Sequence, residues 1–316
     1  MVKKELKLHG SCVALPTPFR YGTVDFLALE ALCHRQIDHG TAALVPCGTT
    51  GEAPLLTPAE QQRVVAATVA ATAGRVPVIA GAGSNNTQTA VELAQSAEQA
   101  GAQALLCVTP YYLKPTQAGL IQHFHAIHDA VGIPIILYDV PSRTACPMAD
   151  VTIKRLADLP RVIGLKDATG DIARVGLLRR RLGSQFLLLS GDDATQAAFR
   201  LAGGDGCISV TANVAPALCA ALQRACDRRD SVAIARFEGI LAPLHAALFL
   251  EANPIPVKRA LYRLGLMVDG LRLPLTPLSP PADMQLAKVL QAVLPMEEEE
   301  ALRIVSSRPV TRPRAA

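Results

Sequence analysis

Eight short apolar runs recur along the chain at near-regular intervals, and no other feature limits its fold as strongly. They are "SCVALPTP" from residue 11, "AALVPCG" from 42, "VPVIAGAG" from 76, "ALLCVTP" from 104, "PIILYDVP" from 134, "VIGLKD" from 162, "FLLLSGDD" from 186 and "CISVTAN" from 207. Each is short and apolar on both faces, as a strand buried in a parallel sheet must be. The stretches between them repeat with the helical period. Phe26, Leu29, Leu32, Cys33 and Ile37 share one face, and Gly40 closes that segment. "TPAEQQRVV" opens with Thr57 as N-cap, Pro58 at the first helical position and Glu60 completing a capping box. Two further helical stretches end at Gly101 and Gly132. A strand followed by a helix, repeated eight times over about the first 215 residues, predicts a (β/α)₈ TIM barrel. A doubly wound open sheet is the rival, but it needs a reversal of strand order and seldom repeats so evenly.

Past residue 215 the strand runs stop, and "PALCAALQRACDRR", "SVAIARFEGILAPLHAALFLEA", "PIPVKRALYRLG" and "PPADMQLAKVLQAVL" read as helices. The expected organisation is a barrel over 1–225, a small helical appendage over 226–296 and a frayed tail over 297–316. The tail is expected because an acidic block there gives way to Pro and Arg.

Composition narrows the function classes. A formal charge of +4, spread along the chain, argues against nucleic acid as the main partner. No apolar stretch follows the charged start, and no run of about 18 apolar residues occurs, so neither a secretory leader nor a membrane span is expected. The eight cysteines contain no C-x-x-C pair and read as free thiols in a reducing cytoplasm.

Barrel enzymes carry their chemistry at the C-terminal ends of the strands. Lys166 ends the sixth run, although an ammonium is costly to bury. Burial favours the neutral amine, which can attack a carbonyl to form an imine. The bland alternative is a lysine that snorkels to water or pairs with Asp167. Thr49, Thr50 and Glu52 follow the second run in "CGTTGE", Tyr111 and Tyr112 the fourth, and Tyr138 and Arg143 the fifth. Tyr138 could shuttle protons, or merely cap the barrel core. Arg143 offers a fork for a carboxylate, or an ordinary loop salt bridge. The backbone N–H groups and hydroxyls of "GTTGE" could hold a small carboxylate, although a plain turn has the same sequence.

Other site types fail on their residues. "GAGSNN" at 81 lacks the remainder of a dinucleotide fingerprint. The seventh run ends in "SGDD", where Asp192 and Asp193 would repel a phosphate and Asp193 is expected to cap the next helix. His123, His125 and His128 lie within a helix, without the H-E-x-x-H pattern, and no metal site is expected.

From about residue 9 to residue 294 the chain resembles the dihydrodipicolinate (4-hydroxy-tetrahydrodipicolinate) synthase family. The matching pieces are "GTTGE", "VTPYY", "ILYDVPSRT", "GLKDATGD", "LLSGDD", "GCISVTANVAP", "NPIPVK" and "LRLPLTPL". The resemblance implies a class I aldolase-type lyase of the diaminopimelate and lysine pathway, condensing pyruvate with L-aspartate-4-semialdehyde without metal or organic cofactor. It implies Lys166 as the Schiff-base lysine and Tyr138, Thr49 and Tyr112 as a proton relay. Tyr112 would reach a neighbouring subunit's site, within a homotetramer built from tight dimers. Thr50 would bind the pyruvate carboxylate, Arg143 the carboxylate of the aldehyde substrate, and Gly191 and Ile208 would line the pocket.

Arg143 separates the chain from N-acetylneuraminate lyases, which share the lysine but lack this arginine and tend to carry Ser at the position of Thr50. Another pyruvate-dependent aldolase using a different aldehyde, and a silent binding protein on the same fold, are the alternatives. In one respect the chain departs from lysine-inhibited members of the family. Pro58, Gln61 and Thr89 stand where those members carry His and Glu, although Asn85 and Tyr111 are retained. Feedback by lysine is therefore expected to be weak or absent. The tail after 296 has no counterpart in the family.

Overall fold

The computed structural model describes residues 8–306. Within them eight parallel strands form one sheet. They are β1 (Gly10–Ala14), β2 (Ala43–Val45), β3 (Ile79–Gly81), β4 (Ala104–Val108), β5 (Ile135–Asp139), β6 (Val162–Asp167), β7 (Leu187–Ser190) and β8 (Gly206–Ser209). Helices α1 (Phe26–Asp38), α2 (Pro58–Thr72), α3 (Thr87–Gln99), α4 (Gln117–Ala130), α5 (Asp150–Ala157), α6 (Ile172–Leu182), α7 (Gln196–Leu201) and α8 (Pro216–Arg228) follow the strands in turn. The hydrogen-bonded order is β2-β1-β8-β7-β6-β5-β4-β3, and a bridge between Leu44 and Val78 joins the two ends into a barrel. Glycine makes this closure possible. A Cβ on Gly81 would lie 1.9 Å from the Cys47 carbonyl oxygen, so no other residue lets β3 approach the end of β2.

Strand alternation divides the apolar side chains into two layers. Cys12, Ala14, Val45, Leu106, Ile136 and Ile208 fill the barrel interior. Val13, Leu44, Leu105, Leu137, Leu165 and Leu188 face the helices. Thr57 caps α2 as expected: its hydroxyl accepts from the Glu60 N–H at 3.2 Å, while Glu60 accepts from the Thr57 N–H at 2.9 Å. All eight cysteines are free and buried, and no helix among the described residues is long and apolar enough to cross a membrane.

Beyond the barrel, α9 (Ser231–Ala247) and α11 (Pro280–Ser306) pack on each other and on α8, and α10 (Ile255–Arg263) packs on α11. The expected boundary at 225 falls inside α8, which continues to Arg228. The expectation of a frayed segment from 297 fails for 297–306, which are the last turns of α11. Glu297 is buried there, and its carboxylate accepts from the Ala217 and Leu218 N–H groups, each at 2.9 Å, at the otherwise uncapped start of α8. Glu300, also buried, accepts from Arg224 and Arg303, so the acidic block contributes two carboxylates that hold α11 in place. The remainder of the expected tail, 307–316, lies outside the described residues.

Candidate active site

Lys166 is the penultimate residue of β6 and points into the barrel, where it is 6% exposed. Across the β5–β6 ladder it stands opposite Tyr138, and its Nζ lies 4.3 Å from the centre of the Tyr138 ring. No hydrogen bond or ion pair to the Lys166 amine occurs among the described residues. In particular Asp167 does not take it: alternation turns Asp167 to the helix side, where it accepts from Arg174 at 3.2 Å. The bland reading of Lys166 as half of a salt bridge with its neighbour is thereby removed.

Space for the lysine comes from Gly191, just after β7. A Cβ there would come within 3.0 Å of Lys166 Cε and 2.7 Å of Ala168 Cβ. Ile208 lies on the interior face of β8, 1% exposed and in register with Cys12. Burial pushes the Cys12 thiol up to about 12, although the charge of Lys166 nearby pulls the other way.

The loop after β2 supplies the threonines. Thr50 is 2% exposed and its hydroxyl accepts from Asn253 Nδ2 at 3.0 Å, whereas Thr49 is only half-buried. Arg143 sits on the helical turn Pro141–Thr144 that follows β5, exposed, with Nη2 donating to the Asn253 carbonyl at 3.3 Å. One residue of the loop between α9 and α10, Asn253, therefore touches both candidate carboxylate binders.

Among the described residues no hydrogen bond joins Tyr138, Thr49 and Tyr112. Tyr112 is 85% exposed with a left-handed backbone (φ 73°), its N–H held by the Thr144 carbonyl at 3.3 Å. Leu113 beside it is also exposed.

Two expectations need correcting or extending. Asp193 does not cap α7: its carboxylate accepts from the Ser209 hydroxyl and from the Val210 and Thr211 N–H groups, and so pins the loop after β8. Those backbone donors have no helical partner, whereas Thr195 at the start of α7 is already bonded to Asp192. Glu52 does not face the mouth. It forms a fully buried ion pair with Lys258 of α10 and accepts from the Arg272 N–H at 3.2 Å. Asn253, Lys258 and Arg174 are absent from the residues singled out by sequence reasoning. A lysine on the apolar face of an amphipathic helix was the available signal for Lys258.

The histidine set serves packing. His123 bonds to Thr87 at 2.9 Å, and His128 to Asp129 at 2.8 Å. Among the described residues no group of three or more His, Cys, Asp or Glu is placed to hold a metal ion. A cavity of about 340 Å³ lined by Asp192, Asp193, Glu238 and His245 lies beside the seventh loop and does not include Lys166.

The fold is thus a parallel barrel with a buried lysine at a strand tip, a tyrosine ring beside it, and a threonine and an arginine on neighbouring loops joined through Asn253. Residues 7–293 match the Dihydrodipicolinate synthetase family. The 4-hydroxy-tetrahydrodipicolinate synthase of Methylobacterium radiotolerans is 54% identical over 275 residues, covering 87% of this chain and 92% of the relative. That of Parvibaculum lavamentivorans is 53% identical, covering 90% and 97%. The crystal structure of the chloride-inhibited dihydrodipicolinate synthase from Acinetobacter baumannii, complexed with pyruvate, superposes with a TM-score of 0.88 at 44% identity, covering 90% of this chain and 98% of that one. The chain belongs to the dihydrodipicolinate synthetase family.

Proposed function

We propose that this protein is a lyase with 4-hydroxy-tetrahydrodipicolinate synthase activity in diaminopimelate and lysine biosynthesis, and that Lys166 is its Schiff-base residue. The observation that carries the reading is the buried Lys166 amine, free of any carboxylate and set against the Tyr138 ring. The amine attacks the ketone of pyruvate, and loss of water gives the imine. A methyl proton then leaves, and the enamine attacks the aldehyde carbon of L-aspartate-4-semialdehyde. The amine of that substrate displaces Lys166 and closes the ring, returning the lysine free.

Thr50 is positioned to hold the pyruvate carboxylate, with Asn253 orienting its hydroxyl. Arg143, exposed at the mouth, receives the carboxylate of the second substrate. Gly191 and Ile208 shape the pocket. Tyr138, Thr49 and Tyr112 carry protons, with Tyr112 supplied by a partner subunit. Its exposure beside Leu113 supports that assignment, since a large ring left in water is the kind of surface a partner covers. The assembly is a homotetramer of tight dimers in the cytoplasm. Lysine feedback is weak or absent, because Thr89 offers no carboxylate and the Gln61 amide is engaged with the Ala53 carbonyl at 2.9 Å.

Borohydride reduction in the presence of pyruvate, with peptide mapping, tests the reading. The expected result is one adduct on Lys166, lost when L-aspartate-4-semialdehyde is added before reduction. An adduct that persists points to another aldehyde, and no adduct leaves only a silent binding protein.

A further inference from the structure

Arg174 contacts none of the groups assigned to substrate, yet it is bonded to both strand tips that carry the site. It stands in the first turn of α6 with its side chain 10% exposed. Nη1 donates to Asp139 at 2.9 Å and to Asp167 at 3.2 Å, Nε to Asp150 at 2.9 Å, and Nη2 to the Met148 carbonyl at 2.6 Å. Asp139 and Asp167 directly follow Tyr138 and Lys166, and the ladder sets them opposite each other just as it sets Tyr138 opposite Lys166. Their other oxygens are also taken. The Met148 N–H donates to Asp139 at 3.3 Å, and the Thr169 N–H and hydroxyl donate to Asp167 at 2.8 and 2.6 Å.

Two buried carboxylates therefore lie side by side on the helix side of β5 and β6 and share one guanidinium. Without it, each would keep only neutral hydrogen-bond donors and no countercharge, one residue from Tyr138 or Lys166. Such a charge favours an ammonium over the amine that imine formation uses.

We propose that Arg174 is a positioning residue for Lys166: it locks the tips of β5 and β6 together through Asp139 and Asp167, and its single positive charge offsets part of the negative charge those two carboxylates place behind Tyr138 and Lys166. This rests on the assignment of Lys166 as the imine-forming residue. Around Lys166, the interior presents Tyr138 of β5 and Cys12 of β1, and β8 brings Cys207 within reach of its charge. The helix side presents Asp139, Asp150, Asp167 and Arg174, with Cys146 beside Asp139. Asp193 lies beyond Cys207, held by Ser209 and two backbone N–H groups. Burial keeps the Cys12 and Cys207 thiols neutral, so the cluster around Arg174 supplies the adjustable charge.

The test compares the wild type, Arg174→Lys, Arg174→Met and Asp167→Asn/Arg174→Met by the rate of borohydride-trapped pyruvate adduct formation and by kcat and KM across pH. Arg174→Lys keeps the charge but loses the fork. Trapping and kcat are expected to slow roughly 10- to 100-fold, with KM for pyruvate little changed. In Arg174→Met the acid limb of kcat/KM for pyruvate is expected to move up by about one pH unit, and in Asp167→Asn/Arg174→Met to move back. Should Arg174→Met fail to fold, Arg174→Lys and the double variant decide. Folded variants whose trapping rate and pH profile match the wild type overturn the inference. A wild type that forms no adduct overturns the Lys166 assignment instead, so the two failures are distinct.

Discussion

Two lysines are buried among the described residues, and the fold treats them in opposite ways. Lys258 of α10 is wholly buried, with its ammonium on the Glu52 carboxylate and 4.3 Å from the centre of the Phe19 ring. Lys166 at the tip of β6 is nearly as buried and lies at the same distance from the Tyr138 ring, but no carboxylate reaches it. The nearest acid in sequence is turned away and held by Arg174. A paired buried lysine is a structural cation whose hydration loss is offset by its partner. A buried lysine denied that partner has no such offset. The difference is made by the partners and not by the lysines.

Substituting each lysine breaks the comparison in a different observable. Lys166→Ala should lower kcat by more than about 10³-fold and abolish the pyruvate adduct, because the covalent step has no other amine. Its denaturation midpoint should equal or exceed that of the wild type, since an unpaired buried amine is being removed. A large loss of stability would mean that Lys166 is structural after all.

Lys258→Met should act on stability first. It strands Glu52 in the interior, which costs about 3–5 kcal/mol in urea denaturation, and Glu52→Gln/Lys258→Met should recover most of the loss. If the double variant is no better than the single one, the pair is not the coupled unit described here. Residual activity per folded molecule should fall through misplacement of Thr49 and Thr50, whose loop Glu52 anchors.

His123 sharpens the comparison through pH. Burial without a countercharge holds its imidazole down at about 4, against an ordinary value of 6.5. The neutral ring is therefore favoured in the folded chain. The associated stability is fully present above about pH 6.5 and is lost as pH falls from there through about 4, by of order 2–3 kcal/mol. Urea denaturation from pH 7 to pH 4 checks this against His123→Gln, which should show a shallower fall. Parallel curves for the two proteins would exclude His123 as the source.

The candidate site was partly visible in the sequence, and the visible part has a common cause. Lys166, Tyr138, Thr50 and Arg143 each follow an apolar run, and in a parallel barrel the end of a run is a place in space. What surrounds them was not visible. Asn253 meets Thr50 from 203 residues away, and Lys258 meets Glu52 from 206. The direction of Asp167 was open until α6 presented Arg174 to it. Tyr112 could be placed after β4, but its exposed, left-handed position belongs to the loop's own packing.

The sequence by itself determined the eight strand–helix units, the capping box at Thr57 and Glu60, and the lysine at a strand end. All of these depend on neighbours within a few residues, where periodicity and backbone preference operate. Tertiary structure alone decided that the barrel closes where Gly81 meets Cys47, that the acidic block at 297–300 continues a helix, and which buried lysine is paired. In each case the free energy comes from a contact between distant segments: a close backbone approach, a carboxylate on another helix's free N–H groups, an ion pair. Such contacts leave no period in the chain and exist only once it has folded.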